Sequence, residues 1–247
     1  MSTLESYVQH WPHGHIRTFG EILEDGITTQ DVQLAVRRRV LKSIGHGGYA
    51  RNDDEISWQH GLYALQSKQK SNFIEFFAGG LTALLIHSCG SNCDFFDQQS
   101  FFYTTNEKFP PWFKRLSGEN SSYTDYKNRI PLSIKDSFTK FMTTDGLQYI
   151  ISSPERALFE LCLTHKDISH IKNIILSIQG LNITVLNTIL KFSFPSSSFY
   201  NFKLLAESLS ESGKSELQQS LSNFIPGDSP NISWEKLNGE RIEANHE

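Results

Sequence analysis

The chain has 247 residues, 38% apolar and 12% aromatic with 18 phenylalanines, enough to fill one large core or a small and a medium one. Its longest apolar stretches, Phe73 to Ile86 and Ile168 to Ile178, are broken by Glu75, Lys172 and Asn173, so a membrane-spanning helix is excluded. The formal net charge of −4 also excludes a protein that is basic throughout. The cations are concentrated instead. Val32 to Asn52 holds Arg37, Arg38, Arg39, Lys42 and Arg51 with no acid, whereas acids outnumber bases from Glu207 onward. A cationic segment in an acidic chain marks one small surface for a polyanion. The opening MSTLESYVQHW has no basic stretch leading into an apolar one, so the expectation is a cytoplasmic protein with Cys89, Cys93 and Cys162 reduced. His87, Cys89 and Cys93 lie close in sequence, but no second Cys or His pair follows to complete a tetrahedral site. Neither a metal nor a cofactor is expected.

Taken in chain order, Leu4 to His10 reads as a short helix ended by Pro12 and Gly14. Thr18-Phe-Gly-Glu21 is a capping-box pattern opening a second helix, which Asp25-Gly26 turns off. Thr28-Thr-Gln-Asp31 caps a third. Two capped helices joined by a tight glycine turn are a helix-turn-helix pattern. At about 100° per residue, Val32, Ala35 and Val36 share one side of the third helix, and Gln30, Gln33, Leu34, Arg37 and Arg38 the other. That polar side fits a major groove: Gln bonds adenine bidentately, Arg bonds guanine, and Leu34 meets a thymine methyl. Arg39 would point back to the core, so the helix is expected to end at Arg38 or Arg39. Val40 to Ile44 and Tyr49 to Arg51 then read as strands around the turn Gly45 to Gly48, a wing whose tip suits phosphate contact. The candidate DNA-binding residues are Thr28, Thr29, Gln30, Gln33, Leu34, Arg37 and Arg38, with Arg39, Lys42, His46 and Arg51 at the backbone.

Beyond the acidic break Asn52 to Glu55, helix is expected from Ser57 to Lys68, strand from Phe73 to Ala78, and helix from Thr82 to His87. Asp94 to Tyr126 is aromatic and turn-rich and fits short strands better than helix; Gly146 to Ser152 reads as a further strand. Four helices follow: Pro154 to Thr164, Ile168 to Gln179, Ile183 to Phe192 and Phe199 to Ser212. The fold class is thus α+β: a winged helix-turn-helix (1–56), a larger mixed domain with a helical C-terminal part (57–225), and a polar tail (226–247) expected to be poorly ordered.

Three stretches stand out in order along the chain: Pro12-x-Gly14 through Gly48-Tyr49-Ala50, Gly79-Gly80-Leu81-Thr82-Ala83-Leu84, and Ser152-Ser153-Pro154-Glu155-Arg156-Ala157. Together they resemble the AbiEi family, the antitoxin and autorepressor half of type IV, AbiE-type toxin–antitoxin systems of bacteria. The resemblance runs from about Trp11 to about Arg156. It implies a repressor that binds repeated sites in its own promoter, as a homodimer on double-stranded DNA. It also implies a nucleotidyltransferase-like toxin as partner, counteracted directly or indirectly, in a setting of phage defence by abortive infection. One departure stands out. Relatives carry a basic segment before the Leu-Ala-Glu helix, whereas Phe194-Pro-Ser-Ser-Ser-Phe-Tyr precedes Leu205-Ala206-Glu207 here.

The second and third stretches also have architectural readings. Gly79-Gly80 before a helix offers open N–H groups to an anion, or a close approach of strand and helix, and lacks the rest of a P-loop. Ser153, Pro154 and Glu155 suit an N-cap, the first helical position and the helix dipole; Arg156 is expected to pair with an acid from another part of the domain. A role for Gly79, Gly80, Thr82, Ser153, Glu155 and Arg156 in neutralising a toxin stands beside these. No spacing makes acids and histidines catalytic partners, so the expectation is a non-enzyme. The alternatives are an enzyme delivered to DNA by its winged helix, with a nuclease-like or nucleotide-handling second domain, and a stand-alone regulator.

Overall fold

The computed structural model describes residues 3–69, 74–90, 99–105, 108–125, 130–164, 172–178, 180–191, 199–211 and 218–219. The fold is mixed α+β and divides into two compact units. One comprises Met1–Ala78, Phe95–Asp125 and Lys140–Ile151; the other comprises Gly79–Asp94, Tyr126–Thr139 and Ser152–Glu247. The 1–56 and 57–225 division read from the sequence follows the acidic break at Asn52 to Glu55 instead. Asp54 in that break belongs to the fold. Its side chain is 2% exposed and accepts from the Gly14 N–H at 2.9 Å, with His13 Nδ1 at 2.6 Å. The tail from Pro226 lies outside the described residues, as do Phe73, Ile168 to Ile171, Gln179, Phe192 and Ser212.

The first unit opens with a winged helix. Helix α1 (Thr3–Gln9) is followed by β1 (Arg17–Thr18), α2 (Phe19–Glu24), α3 (Thr29–Arg37), β2 (Leu41–Gly45) and β3 (Gly48–Arg51). The three strands form an antiparallel sheet in the order β1-β3-β2. Val8, Trp11, Ile22, Ile27, Val32, Ala35 and Leu41 form the core of this module. Each helix and strand β2 therefore contribute an anchor, which fixes α3 relative to the wing. The two-residue strand β1 was not visible in the sequence, being too short to show an alternating pattern.

The unit continues with α4 (Trp58–Gln66), β4 (Phe76–Ala78), β5 (Ser100–Thr104), α6 (Pro111–Ser117) and β6 (Ser121–Asp125), with α5 (Gly80–Cys89) inserted in sequence and assigned to the second unit. Strands β7 (Phe138–Met142) and β8 (Gln148–Ser152) complete a five-stranded sheet in the order β6-β5-β4-β8-β7. Strand β4 runs antiparallel to β5 and parallel to β8. The Gln66 side chain caps this arrangement: its Nε2 donates to the Phe76 and Ile150 carbonyls and its Oε1 accepts from the Ile150 N–H, all at 2.8 Å.

Helix α6 corrects the expectation of strands alone between Asp94 and Tyr126. Pro110 stands at its N-cap and Pro111 at its first helical position, where the missing N–H costs nothing. Trp112 and Phe113 are buried, and Trp112 lies against the wing. A Cβ on Gly48 would stand 2.8 Å from Trp112 Cγ and 2.9 Å from its Cβ, so only glycine lets the hairpin approach this closely.

The second unit is helical. Helix α5 is buried on every side through Leu81, Ala83, Leu84, Leu85 and Ile86, and it packs on α7 (Pro154–Thr164). Around them lie α8 (Lys172–Ser177), α9 (Ile183–Leu190) and α10 (Phe199–Glu211). The four C-terminal helices occur where the apolar periodicity places them, within a few residues at their ends.

Gly48→Ala is expected to destabilise the protein by about 1–3 kcal/mol in chemical denaturation, because the methyl meets a buried indole held by a helix. Gly20→Ala, at an exposed α2 position with nothing within 4 Å, is expected to stabilise by up to ~1 kcal/mol. Equal effects of the two substitutions would contradict the close packing of the wing on α6.

Candidate nucleic-acid interface

The helix pair α2 and α3 is built from matched local signals. Thr18 and Glu21 form a capping box on α2, with the Thr18 N–H donating to Glu21 Oε2 at 2.6 Å. Thr28 and Asp31 repeat it on α3: Thr28 Oγ1 accepts from the Asp31 N–H at 3.2 Å and donates to the Asp31 carboxylate at 2.6 Å. Glu21 also receives Lys68 Nζ at 2.7 Å. Burial alone would raise its carboxyl pKa, but the hydrogen bonds from Lys68 and Thr18 outweigh that and hold it below the usual range.

Both helices end in the same Schellman turn. After α2, the Ile27 N–H reaches the Ile22 carbonyl and the Gly26 N–H the Leu23 carbonyl. After α3, the Val40 N–H reaches Ala35 and the Arg39 N–H reaches Val36, at 2.9 and 3.1 Å. The left-handed residue is Gly26 (φ +83°) in the first turn and Arg39 (φ +57°) in the second. An arginine thus holds a seat where glycine is the unstrained choice, and its side chain projects into solvent. This turn also settles the helix end: α3 stops at Arg37, Arg38 is its C-cap, and Arg39 does not fold back to the core.

Val32 and Ala35 are buried, and Thr28, Thr29, Gln30, Gln33, Leu34 and Arg37 are exposed, as are Arg38 and Arg39 beyond the helix. Leu34, at 38% exposure, is an apolar side chain amid polar ones on that face. His46 sits exposed at the wing tip between β2 and β3. Among the described residues, the side chains of Arg37, Arg39 and His46 make no hydrogen bond or ion pair. Lys42 and Arg51 differ. Lys42 Nζ donates to the Asp54 carbonyl. Arg51 pairs with Asp53 through Nε (3.3 Å) and Nη2 (3.1 Å) and donates from Nη1 to the Trp11 carbonyl at 3.2 Å. These two cations brace the base of the wing.

Two clusters of reactive side chains in this unit are also structural. His13, Asp53 and Asp54 lie close enough to share a metal ion, but the carboxylates already serve Arg51, His13 and the Gly14 N–H. Ser57, His60 and Asp145, which no sequence spacing linked, are brought together in the order of a hydrolase triad. His60 Nδ1 accepts from the Ser57 backbone N–H at 3.1 Å, with the Ser57 hydroxyl at 2.8 Å and Asp145 Oδ2 3.0 Å from Nε2. The backbone bond fixes the proton on Nε2 and makes the ring a cap for α4.

In the second unit the Ser-Pro-Glu-Arg segment forms the start of α7. Ser153 Oγ accepts from the Arg156 N–H at 3.4 Å. Arg156, expected to find an acid elsewhere in the domain, finds it one turn along its own helix: Nε donates to Glu160 Oε1 at 3.0 Å, both side chains fully buried. Its Nη1 donates to the Pro131 carbonyl and Ser137 Oγ, its Nη2 to the Ile130 carbonyl, and the guanidinium lies 4.4 Å from the Phe138 ring centre. Burial pushes the Glu160 carboxyl up, while Arg156, the Gly80 N–H and the Ser152 hydroxyl pull it down. The Gly80 N–H donates to Glu160 Oε2 at 2.9 Å, so the protein's own carboxylate fills the place read as an anion site at Gly79-Gly80. Thr82 is buried, and Glu155 accepts from the Asn182 N–H at the start of α9. His87 donates to the Ser152 carbonyl at 3.0 Å; Cys93 and the Cys89 side chain lie outside the described residues.

A winged helix presenting an exposed Gln, Leu and Arg face is the architecture of a transcriptional regulator. Residues 1–93 match the family described as "Transcriptional regulator, AbiEi antitoxin N-terminal domain". No curated protein matches the chain. Among solved structures it is similar to the RV2827C protein from Mycobacterium tuberculosis, with a TM-score of 0.55 and 12% identity over 91% of this chain and 80% of that one. At that identity the likeness concerns the fold.

Arg39→Gly is expected to stabilise the protein by about 1 kcal/mol by relieving the left-handed arginine, read as a higher denaturation midpoint. Glu160→Gln is expected to cost about 3–5 kcal/mol, since it leaves Arg156 buried without a counter-charge. A loss below ~1 kcal/mol in the same assay would show that the pair does not hold the second unit together.

Proposed function

We propose that the protein is the antitoxin and autorepressor of a type IV, AbiE-like toxin–antitoxin operon. The observation that carries this reading is the face of α3: Thr29, Gln30, Gln33, Leu34, Arg37 and Arg38 opposite a buried Val32 and Ala35, in a segment that matches an antitoxin regulator family. On this reading Gln and Arg read base edges in the major groove of the protein's own promoter, and Arg39 and His46 meet phosphates. Lys42 and Arg51 hold the wing in shape from within. One module of this size covers a single groove segment, so two copies bind a repeated site, and the homodimer forms on DNA. The rest of the chain counteracts a nucleotidyltransferase-like toxin encoded beside it, in the cytoplasm.

The double variant Arg37→Ala, Arg38→Ala separates the two activities in the full chain. Promoter binding followed by fluorescence anisotropy is expected to weaken by about 1–3 kcal/mol for each arginine that bonds a base edge. Co-expression with the neighbouring toxin is expected to rescue growth as well as the unaltered chain does. Unchanged affinity would refute the placement of α3 in the groove; loss of rescue would refute the division of labour.

A further inference from the structure

The wing carries two arginine or lysine side chains of its own, Lys42 and Arg51, and both are engaged inside the module. A wing that meets the DNA backbone needs a cation at its tip, and the fold supplies one from another part of the chain. Helix α6 is anchored under the hairpin by Trp112 and Phe113, with 3% and 0% exposure. Its next turn exposes Lys114 and Arg115. Lys114 lies over the Tyr123 ring, 5.3 Å from its centre. Arg115 turns the other way, toward the wing. A Cβ on Gly45 would stand 3.1 Å from Arg115 Cδ and 3.5 Å from its Cβ, so the arginine stem crosses the backbone of the last residue of β2. His46, the tip residue, follows immediately. Gly45 has φ +138° and no side chain to block that crossing. Among the described residues the Arg115 guanidinium has no carboxylate or hydrogen-bond partner.

We propose that Arg115 is a phosphate clamp that extends the nucleic-acid interface from the wing tip onto α6, its ligand being the sugar–phosphate backbone of duplex DNA. The inference rests on the reading of α3 and the wing as a DNA interface. A guanidinium is the group such a site asks for, because its planar fork meets two phosphate oxygens at once. Its carrier is a short helix pinned by a buried indole, so little freedom is lost when it binds. The clamp reads no sequence; it sets the register in which α3 reads.

The test compares the full chain with Arg115→Met, which keeps the stem on Gly45, and Arg115→Lys, which keeps the charge. Each is titrated by fluorescence anisotropy on the chain's own promoter duplex and on an unrelated duplex of equal length, across salt from about 50 to 200 mM. One phosphate contact contributes about 0.9 to the slope of log affinity against log salt. Arg115→Met is therefore expected to flatten the slope by about 0.9 on both duplexes, so that its deficit against the unaltered chain shrinks about 3.5-fold across that range. Its melting temperature is expected to stay unchanged, and Arg115→Lys to restore most of the slope. An unchanged slope and affinity in Arg115→Met, beside weakened promoter binding in the Arg37→Ala, Arg38→Ala variant, would overturn the clamp alone. A loss in Arg115→Met with no loss in the α3 variant would refute the reading of α3 and overturn the clamp as the device that sets its register. Affinity that falls in step with melting temperature would make Arg115 a packing residue, and absence of binding by the unaltered chain would remove both readings.

Discussion

The contact between the wing and α6 is the constraint on which the rest of the first unit turns. Trp112 takes the space a side chain at Gly48 would need, and Arg115 crosses the backbone at Gly45. Both strands of the hairpin are thereby pressed onto a helix far away in sequence. An isolated two-stranded hairpin is marginal in water, and this one has only the two-residue β1 beside it. Its firmness therefore comes from α6 below and from Leu41 in the core above. Because α3 shares that core through Val32 and Ala35, α3 and the wing are positioned by one continuous set of contacts. That is the preorganisation a DNA-reading surface needs if binding is not to be spent on ordering loops.

Charge in this protein is divided by burial. Arg156 and Glu160 are fully enclosed, and taking both from water costs as much as their attraction returns. What the pair secures is geometry. The guanidinium ties the carbonyls of residues 130 and 131 to α7, and the carboxylate ties the start of α5 to the same helix. The Ser-Pro-Glu-Arg and Gly-Gly stretches are thus two halves of one buried junction. Lys42 and Arg51 do a similar service at the base of the wing. The exposed cations include those of α3, its C-terminal turn and α6, and Arg39 keeps a strained backbone there that Gly26 avoids in the matching turn. A strained residue kept at an exposed, charged position is the pattern of a functional constraint rather than of folding.

What the sequence revealed follows the range of the forces involved. Capping boxes at Thr18 and Thr28, the glycine turn at Gly26 and the apolar side of α3 are encoded within four residues, and the structure has them where the sequence puts them. Helices α7 to α10 were legible for the same reason. Helix α6 was not, because Pro110-Pro111 reads as a break unless the second proline is recognised as the first residue of a helix. Arg156 was seen, but its partner was sought at a distance although it lies one helical turn away. Asp54 looked like part of a linker and is a buried acceptor for the Gly14 N–H. Ser57, His60 and Asp145 show the opposite limit: only the tertiary fold brings them together, and only hydrogen-bond directions show that they cap a helix.

The sparing use of exposed cations bears on how such a surface would work. Affinity for duplex DNA rises with the number of phosphates neutralised, and a net charge of −4 adds repulsion at long range. A surface with few free guanidinium groups binds any one site weakly and loses little further affinity as salt rises. Its discrimination then comes from base contacts, which are indifferent to counterion release. If the protein is the autorepressor proposed above, such a surface would pass over bulk DNA and respond to repeated copies of its operator, where two modest contacts act together. Each cation diverted inward, as Lys42 and Arg51 are, sharpens that preference. On the proposed reading, firm support from α6 offsets the little charge the wing itself brings to the DNA backbone.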